Sequence, residues 1–109
     1  MTKIVSSINY CTRENQINKI IKDQKFSKRR EYFLFISLWD SVCSNLIKKL
    51  EENPPPFTVN VINSFDTPHS FIIWGIKKAP ALVILEAYGK NVGVTDFVSD
   101  IYRKLRLER

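Results

Sequence analysis

Residues 31–37 read Glu-Tyr-Phe-Leu-Phe-Ile-Ser, with five large apolar or aromatic side chains in unbroken succession. A strand with one wet face alternates apolar and polar residues, so a continuous apolar run describes a strand covered on both sides. Covering both sides takes two layers of helix, and the run therefore predicts the central strand of an α/β sheet. The chain can supply those layers. Its 109 residues are 44% hydrophobic and 12% aromatic, enough for one core, and a single domain over 1–109 is expected.

The flanking segments fit that arrangement. Lys3 to Ile8 is a short β-branched stretch read as the first strand, and Thr12 is placed to cap a helix whose stripe is Ile17, Ile20 and Ile21. The basic segment Lys25 to Arg30 is read as a loop. Asp40 or Ser41 can accept backbone amides at the start of a second helix, with Cys43, Leu46, Ile47 and Leu50 on its inner face, and Asn53-Pro54-Pro55-Pro56 ends it. Phe57 to Ile62 predicts a third strand. Thr67-Pro68 predicts a short helix through Trp74 that stops at Gly75. Ala81 to Ala87 is a fourth strand, and Tyr88 to Asn91 turns it into a fifth near Val92 to Val94. Thr95 then caps a last helix with Phe97, Val98, Ile101 and Leu105 inward. The order is βαβαβαββα. Helical crossovers between the early strands make them parallel, and the tight turn at Gly89 makes the last pair antiparallel, so a mixed sheet of about five strands with about four helices is expected.

Several function classes lose support. No apolar run is long enough to span a bilayer, and Met1 to Ile8 is too short and polar for a signal peptide, so an intracellular, cytoplasmic protein with no membrane partner is expected. Cys11 and Cys43 lie far apart and form no C-x-x-C pair, which argues against a disulfide scaffold or a zinc site. His69 is the single histidine, with Asp66 its one close carboxylate, and is read as a helix-surface residue. No metal is expected. Glycine-rich phosphate loops, H-E-x-x-H and G-x-S-x-G are all missing, so no cofactor is expected either.

The formal charge of +6 gathers at Lys25, Lys28, Arg29 and Arg30, and again at Arg103, Lys104, Arg106 and Arg109. That balance favours acidic partners, nucleic acid among them. The basic runs do not interleave aromatics with glycine as an RNA-binding sheet would, so solvated surface is the preferred reading and nucleic acid the lesser one.

Two stretches bring a family into view. Tyr32 to Cys43 is a buried strand running into Trp39-x-x-x-Cys43 at a helix start, and residues 74–85, "WGIKKAPALVIL", place Gly-Ile and a proline before a strand. Together they resemble the thioredoxin superfamily over essentially the whole chain. The resemblance implies a thioredoxin-like fold, in which Pro80 takes the place of the family's cis-proline facing the redox motif, next to the residue that pairs with bound peptide backbone. It also shows what is missing. Asp40 stands where the family has its attacking cysteine, Ser41-Val42 replaces Gly-Pro, and only Cys43, at the resolving position, is kept. Leu34 stands where the family buries an acid on the central strand.

Cys43 is read first as a buried core thiol, with a reactive thiol at a helix start as the alternative. Asp40 is preferred as a cap over a general base. Trp39 divides evenly between a contact residue and a core-rim residue, and for Lys77 and Lys78 plain solvation is preferred slightly over attraction of acidic segments. The reading that results is a thioredoxin-fold protein without the dithiol cycle, serving as a protein-binding module through Trp39, Asp40, Ala79 and Pro80. The alternatives are a single-cysteine thiol–disulfide oxidoreductase using Cys43 and a basic nucleic-acid-associated protein. In the family's strand order the first strand lies two places from the one preceding Cys43, so Cys11 and Cys43 are expected to stay unbonded.

Overall fold

The computed structural model describes residues 8–107. Five strands, β1 (Ile8–Cys11), β2 (Glu31–Ile36), β3 (Val59–Asn63), β4 (Ala81–Glu86) and β5 (Lys90–Thr95), form one sheet in the order β1-β3-β2-β4-β5. β1 and β2 both run parallel to β3, while β2–β4 and β4–β5 are antiparallel. The helices are α1 (Glu14–Gln24), α2 (Ser41–Glu52), α3 (Pro68–Ile73) and α4 (Val98–Lys104). The sheet is mixed.

β2 sits in the middle, and its side chains divide between the two faces as the pleat requires. Tyr32, Leu34 and Ile36 pack with Cys43, Leu46 and Leu50 of α2 and with Ile101 of α4 and Leu105 just beyond it. Phe33 and Phe35 point the other way, toward Ile17 of α1, Phe71 of α3 and Trp74 just after it. Both phenylalanines are fully buried, each contributing about 2–3 kcal/mol by removal from water. Phe35 meets Phe71 edge-on at 5.2 Å and Trp74 at 5.5 Å between ring centroids.

Polar side chains pin the layers. Asn60, buried on β3, accepts a bond from Asn9 Nδ2 (2.9 Å) and donates to the Tyr32 carbonyl (3.0 Å) and to Glu31 Oε1 (3.1 Å). Gln24, buried at the end of α1, donates its Nε2 to the carbonyls of Arg29 and Glu86.

Four expectations shift. The first strand occupies Ile8–Cys11, whereas Lys3 to Ser7 lie outside the described residues. The Asn9–Asn60 bond and the burial of Cys11 carry the strand past Ile8, the expected end, to Cys11. The N-cap of α1 is Arg13 and not Thr12, because the Gln16 side chain reaches back to accept the amides of both Thr12 (2.9 Å) and Arg13 (3.0 Å). β3 begins at Val59, two residues after Phe57, whose ring is drawn off to stack on Tyr32 with centroids 4.1 Å apart. Thr95 ends β5, leaving Phe97 as the N-cap of α4; Phe97 is exposed and Val98 half-buried, so only Ile101 and Leu105 face inward.

Candidate functional site

β2 ends at Ile36, and the next residues emerge at one end of the sheet. Ser64 donates its amide to the Ile36 carbonyl (2.9 Å), which ties the start of the β3–α3 loop to the same end. On the other side Ala81, the first residue of β4, pairs with Phe35, so the preceding Ala79–Pro80 segment arrives there too. The Ala79–Pro80 peptide bond is cis. Pro80 is buried and Ala79 half-buried, packed on the core cluster that contains Cys43.

Asp40 is the N-cap of α2. Its Oδ1 accepts the Val42 amide at 2.7 Å and its backbone is extended, as an N-cap requires. Cys43, one turn on, is fully buried, and its Sγ accepts the Ser37 amide at 3.4 Å. Burial pushes the thiol up from its ordinary range; the Ser37 amide pulls it back somewhat, and the Asp40 charge raises it again. Burial and the raised thiol both work against the exposed thiolate that a nucleophile needs. Cys11 is also buried and raised, first by burial and then by Glu31, and both thiols are free. They lie in core clusters on opposite faces of the sheet.

Trp39 is 83% exposed. It faces solvent and is no part of the core rim. Beside it the sequence left two partners unnoticed: Leu38 and Phe65, both exposed, line with Trp39 an apolar cleft of about 320 Å³. The signal for Phe65 was present, since a phenylalanine inside the polar turn Asn63-Ser64-Phe65-Asp66 has no turn-forming role. Lys77 and Lys78 are exposed, as is His69 on α3. Among the described residues no three His, Cys, Asp or Glu side chains converge as a metal site, and no helix is long and apolar enough to cross a membrane.

The end of the sheet therefore carries an apolar cleft beside a capped helix start, a sealed thiol and a cis-proline loop. No protein-family model matches the chain, and no curated protein matches it. Solved structures do. Thioredoxin NaTrxh from Nicotiana alata superposes with a TM-score of 0.75 at 14% identity, over 100% of this chain and 98% of that one. Thioredoxin from Trypanosoma brucei brucei gives 0.73 at 15% identity, covering 97% and 94%, and that of Fasciola hepatica 0.72 at 14%, covering 93% and 99%. Likeness at such identities speaks for architecture, and on that ground the chain has the thioredoxin fold.

Proposed function

We propose that this protein is a redox-inactive thioredoxin-fold module that binds a protein partner at the Trp39 end of its sheet. The observation that carries the reading is the chemistry of α2's first turn. Where the fold's enzymes present an attacking sulfur, Asp40 spends its carboxylate on the Val42 amide, and the remaining sulfur of Cys43 is buried, which pushes its thiol up. A mixed disulfide at Cys43 would have no neighbouring thiol to resolve it. What supports binding is the cleft of Leu38, Trp39 and Phe65, an exposed apolar patch at the end where the backbone of residues 79 and 80 is also presented. Its occupant is an extended segment with an apolar side chain for the cleft, and Lys77 and Lys78 favour acidic residues beside it.

Panning a displayed random-peptide library against the natural chain tests this. Enriched peptides should carry an apolar anchor, and their binding should fall at least about tenfold in Trp39→Ala, the loss of one central aromatic contact. Enrichment indifferent to Trp39 would refute the site. Measurable turnover of a disulfide substrate by the natural sequence would refute the redox-inactive reading in favour of the single-cysteine oxidoreductase.

A further inference from the structure

β2 starts at the end of the sheet opposite Trp39, and there the chain gathers a surface that the binding module does not use. Gln24 anchors the loop 25–30 to the end of β4 through the carbonyls of Arg29 and Glu86, and the Tyr88 amide donates to the Ser27 carbonyl at 2.8 Å. The loop and the β4–β5 turn are thus held side by side. Five cations project from these two segments: Lys25, Lys28, Arg29 and Arg30 from the loop, and Lys90 from the turn, all exposed. Arg30 is engaged by Glu86 at 2.6 Å, whereas Lys25, Lys28, Arg29 and Lys90 form no ion pair among the described residues. Nearby acids are few. Glu86 is the one paired with Arg30, Glu31 accepts a bond from Asn60, and Asp23 lies in the last turn of α1.

Two aromatic rings stand among these charges. Phe26 is 84% exposed and Tyr88 is 58% exposed. Tyr88 is also held at φ +62°, a left-handed conformation that asparagine or glycine takes far more readily than a bulky aromatic. The turn itself therefore gives no reason for a tyrosine. At the same end of the sheet a cleft of about 430 Å³ opens between Arg29, Arg30, Glu31, Tyr32 and Phe57, and the Arg106 guanidinium lies 5.8 Å over the Phe57 ring.

We infer that this end of the molecule binds single-stranded nucleic acid, with Phe26 and Tyr88 stacking on bases while Lys25, Lys28, Arg29 and Lys90 meet phosphates. The combination selects the ligand. Exposed rings between unpaired cations match a chain that alternates planar faces with negative charges. An acidic peptide would use the cations and leave the rings bare. A membrane surface calls for a broad apolar face, whereas Phe26 is the one apolar residue between Lys25 and Arg30. The basic run read as plain solvated surface thus acquires its aromatic partner from a segment some 60 residues away, roughly the distance from Phe26 to Tyr88.

The test is fluorescence anisotropy with labelled oligo-dT and oligo-U of about 20 nucleotides, a duplex of equal length and anionic phospholipid vesicles as comparisons. Single strands should bind more tightly than duplex. With about four phosphates met, log affinity should fall against log salt with a slope near −3. Phe26→Ala should weaken binding about 5- to 100-fold, and a Lys28→Glu/Arg29→Glu variant should weaken it further and flatten the slope. Both alter exposed side chains, and far-UV circular dichroism confirms that each variant is folded. Trp39→Ala should leave oligonucleotide binding unchanged, which separates this surface from the peptide site. No binding of single strands, binding indifferent to Phe26 and the loop cations, or binding of vesicles without oligonucleotides would each overturn the inference.

Discussion

Replacing Asp40 with cysteine puts a sulfur at the N-cap of α2, three residues before Cys43 and at C-x-x-C spacing. The stability of the variant can be worked from the structure. Asp40 holds the Val42 amide at 2.7 Å, and losing an N-cap of this kind costs about 1 kcal/mol. Closing so short a loop with a disulfide returns about 2 kcal/mol in the chain-entropy account. For a chain of 109 residues a change of 1 kcal/mol moves the melting temperature by about 4 °C. The reduced variant should therefore melt about 4 °C below the natural chain and the oxidised variant about 4 °C above it. Calorimetry with and without reductant reads the difference, and a mass lower by two hydrogens identifies the bond. Asp40→Ser keeps a capping oxygen and adds no sulfur, so it should melt close to the natural chain under both conditions. A folded Asp40→Cys variant that keeps three free thiols in an oxidising buffer would refute the geometry argued for the first turn of α2. So would an Asp40→Ser chain that loses as much stability as the reduced cysteine variant.

In the natural chain Cys11 and Cys43 should both react with a thiol reagent at least about a thousandfold more slowly than in denaturant, because each is buried and reaction waits on opening; rapid native labelling of Cys43 would support the oxidoreductase alternative. Gln24→Ala strips the donor from two carbonyls and should cost about 3 kcal/mol in a urea titration; a loss under 1 kcal/mol would show that water replaces the amide freely. Tyr10 donates its hydroxyl to Glu51 at 2.6 Å, and partial burial followed by this bond pushes its phenol from 10.0 up to about 12. The folded value lies above the unfolded one, so the contribution is whole below pH 10 and disappears as pH rises through about 12. Glu51→Gln should draw the tyrosinate absorbance change back toward pH 10, and an unchanged titration would sever the link to Glu51.

The core was legible because burial repeats. The run Tyr32 to Ile36 announced a doubly covered strand, and the Cys43, Leu46 and Leu50 spacing announced the helix that covers one side of it. Local chemistry also spoke at Asp40, whose carboxylate accepts an unpaired amide, and at Pro68, which has no amide to leave unpaired in the first turn of α3. Boundaries were lost wherever a distant side chain decided them. Gln16 displaced Thr12 as the organiser of α1's start, Asn60 holds β1 beyond Ile8, and Tyr32 drew Phe57 out of β3. None of these partners is near in sequence except Gln16.

Function was less legible for the same physical reason. An exposed apolar side chain looks in sequence like a buried one, and Phe65, Leu38 and Phe26 become informative only once the fold leaves them outside. The continuity of β2 also dictates where function can lie. With Phe33 through Ile36 all buried, the middle of the central strand offers solvent nothing, and Leu34 there offers no proton acceptor to a thiol above it. The binding surfaces proposed above lie at its two ends. At one end these are Leu38, Trp39 and Asp40, a hydrophobic contact beside a capped helix; at the other they are Arg29 and Arg30, a cationic rim. A strand that carries only apolar side chains between those ends can transmit packing but neither protons nor charge, so two independent binding surfaces fit this chain better than a single relay between them.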